Sequence, residues 1–170
     1  MLLHHHTCYH VFVRLSSILK LTLSIVVCQL AGVVGAVFTT SSVQTWYGTL
    51  VRPELAPPNW VFGPVWTILF TLMGVAVFLV WKKGIEHGSV RSALRIFALQ
   101  LVLNTLWSII FFNFQNVGGA LIEIAFLWIA ILATIIMFHK VSRIAAYLLV
   151  PYILWVSFAA YLNYTFYILN

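Results

Sequence analysis

The chain has 170 residues, 63% of them apolar and only 7% charged, with a mean hydropathy of +1.05, where an ordinary soluble domain carries about 25% charged residues. So few charges cannot solvate a water-facing surface, which excludes a soluble enzyme, a disordered chain and a nucleic-acid-binding domain. The net charge of +6 is therefore read as membrane topology, not as the footprint of a polyanion partner.

At about 20 residues per membrane-crossing helix, this length accommodates five or six spans. The expected fold class is an all-α integral membrane protein: a five-helix bundle over residues 19–170, behind a tail of residues 1–18. The tail contains His4, His5 and His6, a weak metal signal. No carboxylate or second cysteine follows at ligand spacing, so no metal site is expected. Cys8 lies in the tail and Cys28 inside an apolar run, so no disulfide framework is expected. The first apolar run is long enough to stay in the membrane, and no cleavable signal is expected.

The predicted spans run over residues 21–40, 61–81, 94–112, 118–138 and 144–169. The first carries Ser24, Cys28, Gly32 and Ala36 at intervals of four, a small-residue stripe that suits either packing within the chain or a dimer seam. A long connection follows over residues 41–60, with Pro53, Pro57 and Pro58. Structureless connections of this length are usually functional, and a lid is expected. Within it, Arg52 and Glu54 are placed to clasp. The connection from Lys82 to Ala93 is charged, and the last two are tight. No internal repeat, broken helix or charged path suggests a transporter.

Alternating five helices places Arg14, Lys20, Lys82, Lys83, Arg91, Arg95, Lys140 and Arg143 on one side of the membrane and only Arg52 on the other. Positive residues collect on the cytoplasmic side, which predicts an N-in, C-out chain.

No HExxH, GxSxG, Walker loop or CxxC pair is present, so no catalytic constellation is expected. Glu123 is the one acid within a span, and it reads equally as a functional carboxyl or as a protonated side chain bonded to a neighbour. The third span aligns Gln100, Asn104, Trp107, Ser108 and Phe111 on one stripe. The second aligns Phe62, Trp66 and Phe70. The fifth aligns Tyr152, Trp155, Ala159, Leu162, Asn163 and Phe166. Aromatic faces interrupted by a few amides suit a pocket for a flat, mostly apolar ligand. Interfacial belts are the competing account; they suit Trp46, Tyr47, Trp60 and Trp81 well, and Trp66, Trp107 and Trp155 less well.

The runs WYGTLVRPELAPPNWVFGPVWTILFTLMG (46–74), LNTLWSIIFF (103–112) and PYILWVSFAAYLNY (151–164) resemble the TspO / translocator protein family, the tryptophan-rich sensory proteins or peripheral benzodiazepine receptors. That resemblance implies a five-helix bundle, usually dimeric, whose first loop closes over a pocket for porphyrins, haem precursors and benzodiazepine-type ligands. Carried over by motif, the pocket residues are Tyr47, Pro57, Phe62, Trp66, Phe70, Asn104, Trp107, Ser108, Phe111, Trp155, Ala159 and Leu162. No resident cofactor is implied; the ligand would be protoporphyrin IX or a related tetrapyrrole. Expected partners are that ligand or another small apolar molecule, membrane lipid and a second copy of the chain.

Animal members bind cholesterol and carry a basic residue soon after a tyrosine late in the last helix. Here the chain ends YLNYTFYILN with no Lys or Arg after Arg143, which points toward a bacterial-type member in the cytoplasmic membrane; a eukaryotic one would sit in the mitochondrial outer membrane. A receptor or sensor is the leading functional expectation. The alternatives are a membrane enzyme degrading porphyrin in light, with Trp66 and Trp155 as redox candidates, and a tetrapyrrole transporter.

Overall fold

A chain crossing hydrocarbon must satisfy its own backbone groups, and each apolar run does so as a helix. The computed structural model describes residues 2–43 and 45–170, with side chains from Ser17 onward. It contains α1 (Leu2–Val43), α2 (Phe62–Trp81), α3 (Gly88–Ser108), α4 (Val117–Val141), α5 (Arg143–Leu148) and α6 (Val150–Leu169). Single 3₁₀ turns occupy Tyr47–Thr49 and Asn59–Val61, and a π turn at Ile109–Asn113 ends α3. No strand occurs among the described residues. Five segments are long and apolar enough to span a membrane: Ser17–Val43, Asn59–Trp81, Gly88–Asn113, Val117–Val141 and Arg143–Leu169. The His4–His6 run, Cys8 and Arg14 fall outside the residues whose side chains are described.

Three element boundaries differ from expectation. The first helix runs over Leu2–Val43 rather than 21–40, taking in the tail and the start of the 41–60 connection, because no proline interrupts its backbone ladder. The third helix starts at Gly88 rather than near Leu94, because Arg91 and Arg95 interrupt the apolar pattern without interrupting the backbone ladder. The fifth span is not one helix. It breaks at Leu149 into α5 and α6, since Pro151 has no amide hydrogen to continue the ladder and suits the first turn of a new helix.

The connections are set by local chemistry. Asn116 caps α4, its side chain accepting from the Gly119 amide at 2.8 Å. Ser142 caps α5 in the same way from Ala145. Gly84, between α2 and α3, has φ +101°, a left-handed conformation that glycine adopts without steric cost.

α1 packs along α2, α3 along α4, and α6 along α4, while α5 sits against α2 and α4. Leu69, Met73, Ala76 and Val80 of α2 meet Val90, Ala93 and Phe97 of α3, Ile124, Leu127 and Ile131 of α4, and Tyr152 and Val156 of α6 in one core. The outward face is also apolar, with Val26, Leu30, Val33 and Val37 on α1 and Ile122, Phe126 and Ile129 on α4 all exposed. Such a surface belongs in hydrocarbon. Because lipid is as apolar as leucine, helix association there depends on close packing, which small residues permit. Gly74 is such a point: a Cβ on it would lie 2.6 Å from the Ile25 Cα.

The small-residue stripe of α1 is corrected by helix geometry. Ser24 and Cys28 are buried and Gly32 half-buried, but Ala36 is exposed and Gly35 is buried in its place. Steps of four residues overshoot a 3.6-residue turn, drifting by roughly 120° over three steps.

Candidate functional site

A cavity of about 480 Å³ lies between α1, α2, α3, the π turn and α6, a volume ordinary for a small-molecule site. Phe62, Trp66 and Phe70 of α2 form one wall. Asn104, Trp107 and Ser108 of α3, with Phe111 of the π turn, form a second. Trp155, Ala159 and Leu162 of α6 form a third, and Tyr47 enters from the first loop. Eleven of the twelve residues expected from the sequence therefore share one cavity. Pro57 does not line it; its carbonyl instead accepts from Arg52 Nη2 at 2.9 Å.

The fourth wall was missing from the expectation. Gln29, Gly32, Gly35, Ala36 and Thr39 of α1 line the cavity, and of these Gly32 and Ala36 belong to the stripe that reads as a seam for packing or for a dimer. Small side chains serve both ends, since what lets α1 approach its neighbours also leaves the volume open beside it. Phe112, Asn163 and Phe166 line it as well. The π turn explains Phe112: Phe114 N–H bonds the Ile109 carbonyl at 3.0 Å, and the extra residue in that turn lets adjacent Phe111 and Phe112 both reach the cavity. π turns of this kind recur at functional sites.

The walls are held by ring contacts and a few hydrogen bonds. Trp107 stacks on Phe111 with centroids 5.1 Å apart, Trp66 packs on Phe70 at 5.5 Å, and Phe62 meets Trp155 edge-on at 5.8 Å. Trp107 Nε1 donates to Asn163 Oδ1 at 3.0 Å, and Asn163 Nδ2 donates to the Val117 carbonyl at 2.9 Å. Asn163 thereby ties α3, α6 and the start of α4 together. Asn104 Nδ2 donates to the Tyr152 hydroxyl at 2.9 Å, which donates to Gln100 Oε1 at 2.9 Å. Trp155 differs, because its buried Nε1 has no partner among the described residues.

The loop closes one end of the cavity. Tyr47 is 7% exposed, and its ring lies 5.3 Å from Phe166 and 5.7 Å from Phe112. It is a cavity residue rather than part of an interfacial belt, whereas Trp60 is 76% exposed, as a belt residue would be. Burial pushes the Tyr47 phenol above its ordinary value of 10.0 and Arg52 pulls it partly back, so the docked ring is neutral at physiological pH. The expected Arg52–Glu54 clasp does not form: Arg52 bonds the Pro57 carbonyl and stands 6.0 Å from the Tyr47 ring centre. The loop is clasped elsewhere. Val51 N–H donates to Asn170 Oδ1 at 2.8 Å, and Asn170 Nδ2 donates to the Val51 carbonyl at 3.2 Å. Sequence gives no sign of this pair, which joins residues 119 positions apart.

Glu123 is buried on α4, away from the cavity wall, and neither carboxyl oxygen has a partner among the described residues. Of its two readings, the one that needs a bond to a neighbour finds none among the described residues.

A five-helix membrane protein with an aromatic cavity inside the bundle and a loop across its end is the class that this architecture defines. The TspO/MBR family model matches residues 24–169. The tryptophan-rich protein TspO of Chlorobaculum tepidum is 46% identical over 153 residues, covering 90% of this chain and 97% of its own. Its namesake from Archaeoglobus fulgidus is 44% identical, covering 91% and 99%. The translocator protein of Homo sapiens is 39% identical, covering 77% and 78%. The chain belongs to the TspO/MBR family.

Proposed function

We propose that this protein is a membrane receptor or sensor that binds porphyrins and related tetrapyrroles in the aromatic cavity, with the loop between α1 and α2 as its lid. The observation that carries the reading is the convergence of Phe62, Trp66, Trp107, Phe111 and Trp155 on one cavity that also presents only a few polar groups. Flat rings offer a flat apolar ligand large contact area, and the isolated polar atoms orient it. The family membership and the tryptophan-rich names of the relatives support the same reading. The chain is oriented N-in, C-out, on the strength of eight basic residues against one.

Titration of the purified protein with protoporphyrin IX in the dark, read by tryptophan quenching, tests it. Saturable quenching that is lost in Trp107→Ala and Trp155→Ala variants that remain folded is expected; quenching unaffected by either change would overturn the site. Repeating the titration under light separates the second reading, a porphyrin-degrading enzyme. That reading draws on the indoles of Trp66 and Trp155 in the cavity wall. Loss of porphyrin absorbance to a defined product, abolished by replacing either indole, would establish it.

A further inference from the structure

The cavity is not closed on every side. Of the residues that line it, six are exposed, and all six flank one seam: Val33, Ala36 and Thr40 on α1, Asn59 in the turn before α2, and Gly63 and Thr67 on α2. The lining residues of α3, the π turn and α6, and Tyr47 of the loop, are all buried or half-buried. We infer that this slit is a lateral portal through which a flat, membrane-dissolved ligand passes between the hydrocarbon and the cavity, while the loop keeps the cavity shut toward water. The inference rests on the ligand-binding reading of the cavity and adds the route by which the ligand arrives.

The seam is tight at one end and open at the other. Away from the loop, α1 and α2 meet where a Cβ on Gly74 would lie 2.6 Å from the Ile25 Cα. Gln29 Nε2 then pins the two helices by donating to the Thr67 carbonyl at 3.0 Å and to Thr71 Oγ1 at 2.9 Å. Beyond this pin, toward the loop, Ala36, Thr40 and Gly63 are small, and a Cβ on Gly63 would meet nothing within 4 Å. The hydroxyls at the rim are turned onto their own helices: Thr40 Oγ1 donates to the Ala36 carbonyl at 2.8 Å and Thr67 Oγ1 to the Gly63 carbonyl at 2.9 Å. Around the slit stand Val34, Val37 and Ile68, all exposed, on segments apolar enough to span a membrane, so it opens onto acyl chains. A flat apolar molecule concentrates in hydrocarbon rather than in water, which makes the bilayer the richer source. The route from water is the harder one. Tyr47, Phe111 and Phe166 are 7%, 2% and 3% exposed, their rings pack on one another, and the Val51–Asn170 pair holds the loop over them. Entry from water breaks this cluster; entry through the slit leaves it whole.

Exchange kinetics of protoporphyrin IX with the protein in phosphatidylcholine nanodiscs test the portal. Ala36→Phe adds a ring in the slit; Val37→Phe adds the same ring on the next residue, which is exposed and does not line the cavity. Because a gate raises the barrier in both directions, Ala36→Phe is expected to slow association and dissociation alike by about tenfold, with a smaller change in equilibrium affinity. Thr40→Phe, a second rim variant, should act the same way, whereas Val37→Phe and the loop variant Asn170→Ala should leave both rates unchanged. Rates that ignore both rim variants, a loss of affinity with association unchanged, or faster exchange in Asn170→Ala would overturn the inference. A second measurement needs no porphyrin binding. With Cys8 and Cys28 replaced and Ala159→Cys placing a thiol on the α6 wall, pyrenylmaleimide dissolved in the bilayer should alkylate that thiol. Ala36→Phe should slow this reaction about tenfold, and Val37→Phe should not. Equal rates in the two, or a thiol that reacts only after denaturation, would overturn the portal. Failure of protoporphyrin IX to bind the unsubstituted protein would count against the ligand-binding reading alone, and the alkylation would still decide the portal.

Discussion

Ala159 stands on the cavity face of α6, one turn beyond Trp155, where only a methyl group separates the helix from open volume. Ala159→Leu adds atoms in ligand space. Overpacking of this kind costs about 1–3 kcal/mol, equivalent to a loss of porphyrin affinity of roughly five- to a hundredfold, with thermal stability in detergent little changed. Glycines on α1 and α2 separate packing from binding in a complementary way. A Cβ on Gly74 would lie 2.6 Å from the Ile25 Cα, whereas one on Gly32 would lie 2.5 Å from the ring of Phe70. Backbone cannot yield locally, so Gly74→Ala should force α1 and α2 apart and lower stability by about 1–3 kcal/mol, read as a lower midpoint of thermal unfolding. In Gly32→Ala the Phe70 ring must shift, and Phe70 lines the cavity. The larger effect there should be on ligand affinity. Equal loss of stability in the two variants would contradict this division.

Among the elements, the first loop has the least regular structure and the most specific anchoring. Its prolines favour an extended path, Tyr47 plugs it into the aromatic cluster, and the Val51–Asn170 pair ties it to the end of α6. Solvent-exposed hydrogen bonds of this kind are worth about 0.5–1.5 kcal/mol. Asn170→Ala should therefore speed amide exchange at Val51 and its neighbours by about two- to tenfold, and saturating porphyrin should slow exchange across residues 45–59. Protection that ignores both the substitution and the ligand would rule out a lid. Gln44, at the start of this segment, lies outside the described residues. The π turn, which Tyr47 of the loop touches at the same end of the cavity, should be rigid by comparison, because Phe111 is packed between Trp107, Phe112 and Phe166.

For the whole molecule, five segments long and apolar enough to span predict that Lys83 and Asn170 lie on opposite sides of the membrane. In a variant with Cys8 and Cys28 replaced, single reporter cysteines at Lys83 and Asn170 should be labelled by an impermeant reagent from opposite faces. Labelling of both from one face would exclude the five-span arrangement. The outward faces of α1 and α4 carry exposed valine, leucine, isoleucine and phenylalanine, a surface that hydrocarbon tolerates and water does not. The protein should accordingly require detergent or lipid at every stage of purification.

Composition and the length of the apolar runs by themselves determined the class, the number of spans and three of the cavity walls. Those features depend on periodicity along one helix: Phe62, Trp66 and Phe70, or Asn104, Trp107, Ser108 and Phe111, share a face wherever the helix is placed. What tertiary structure decided depends on relations between helices. The small-residue face of α1 became a cavity wall because of where α2 and α3 lie. Asn170 became a loop anchor because α6 ends beside Val51. Pro57 stayed outside the cavity, with its carbonyl bonded to Arg52. The π turn, which brings Phe112 inward, has no periodic signature, since one extra residue in one turn shifts the register only locally.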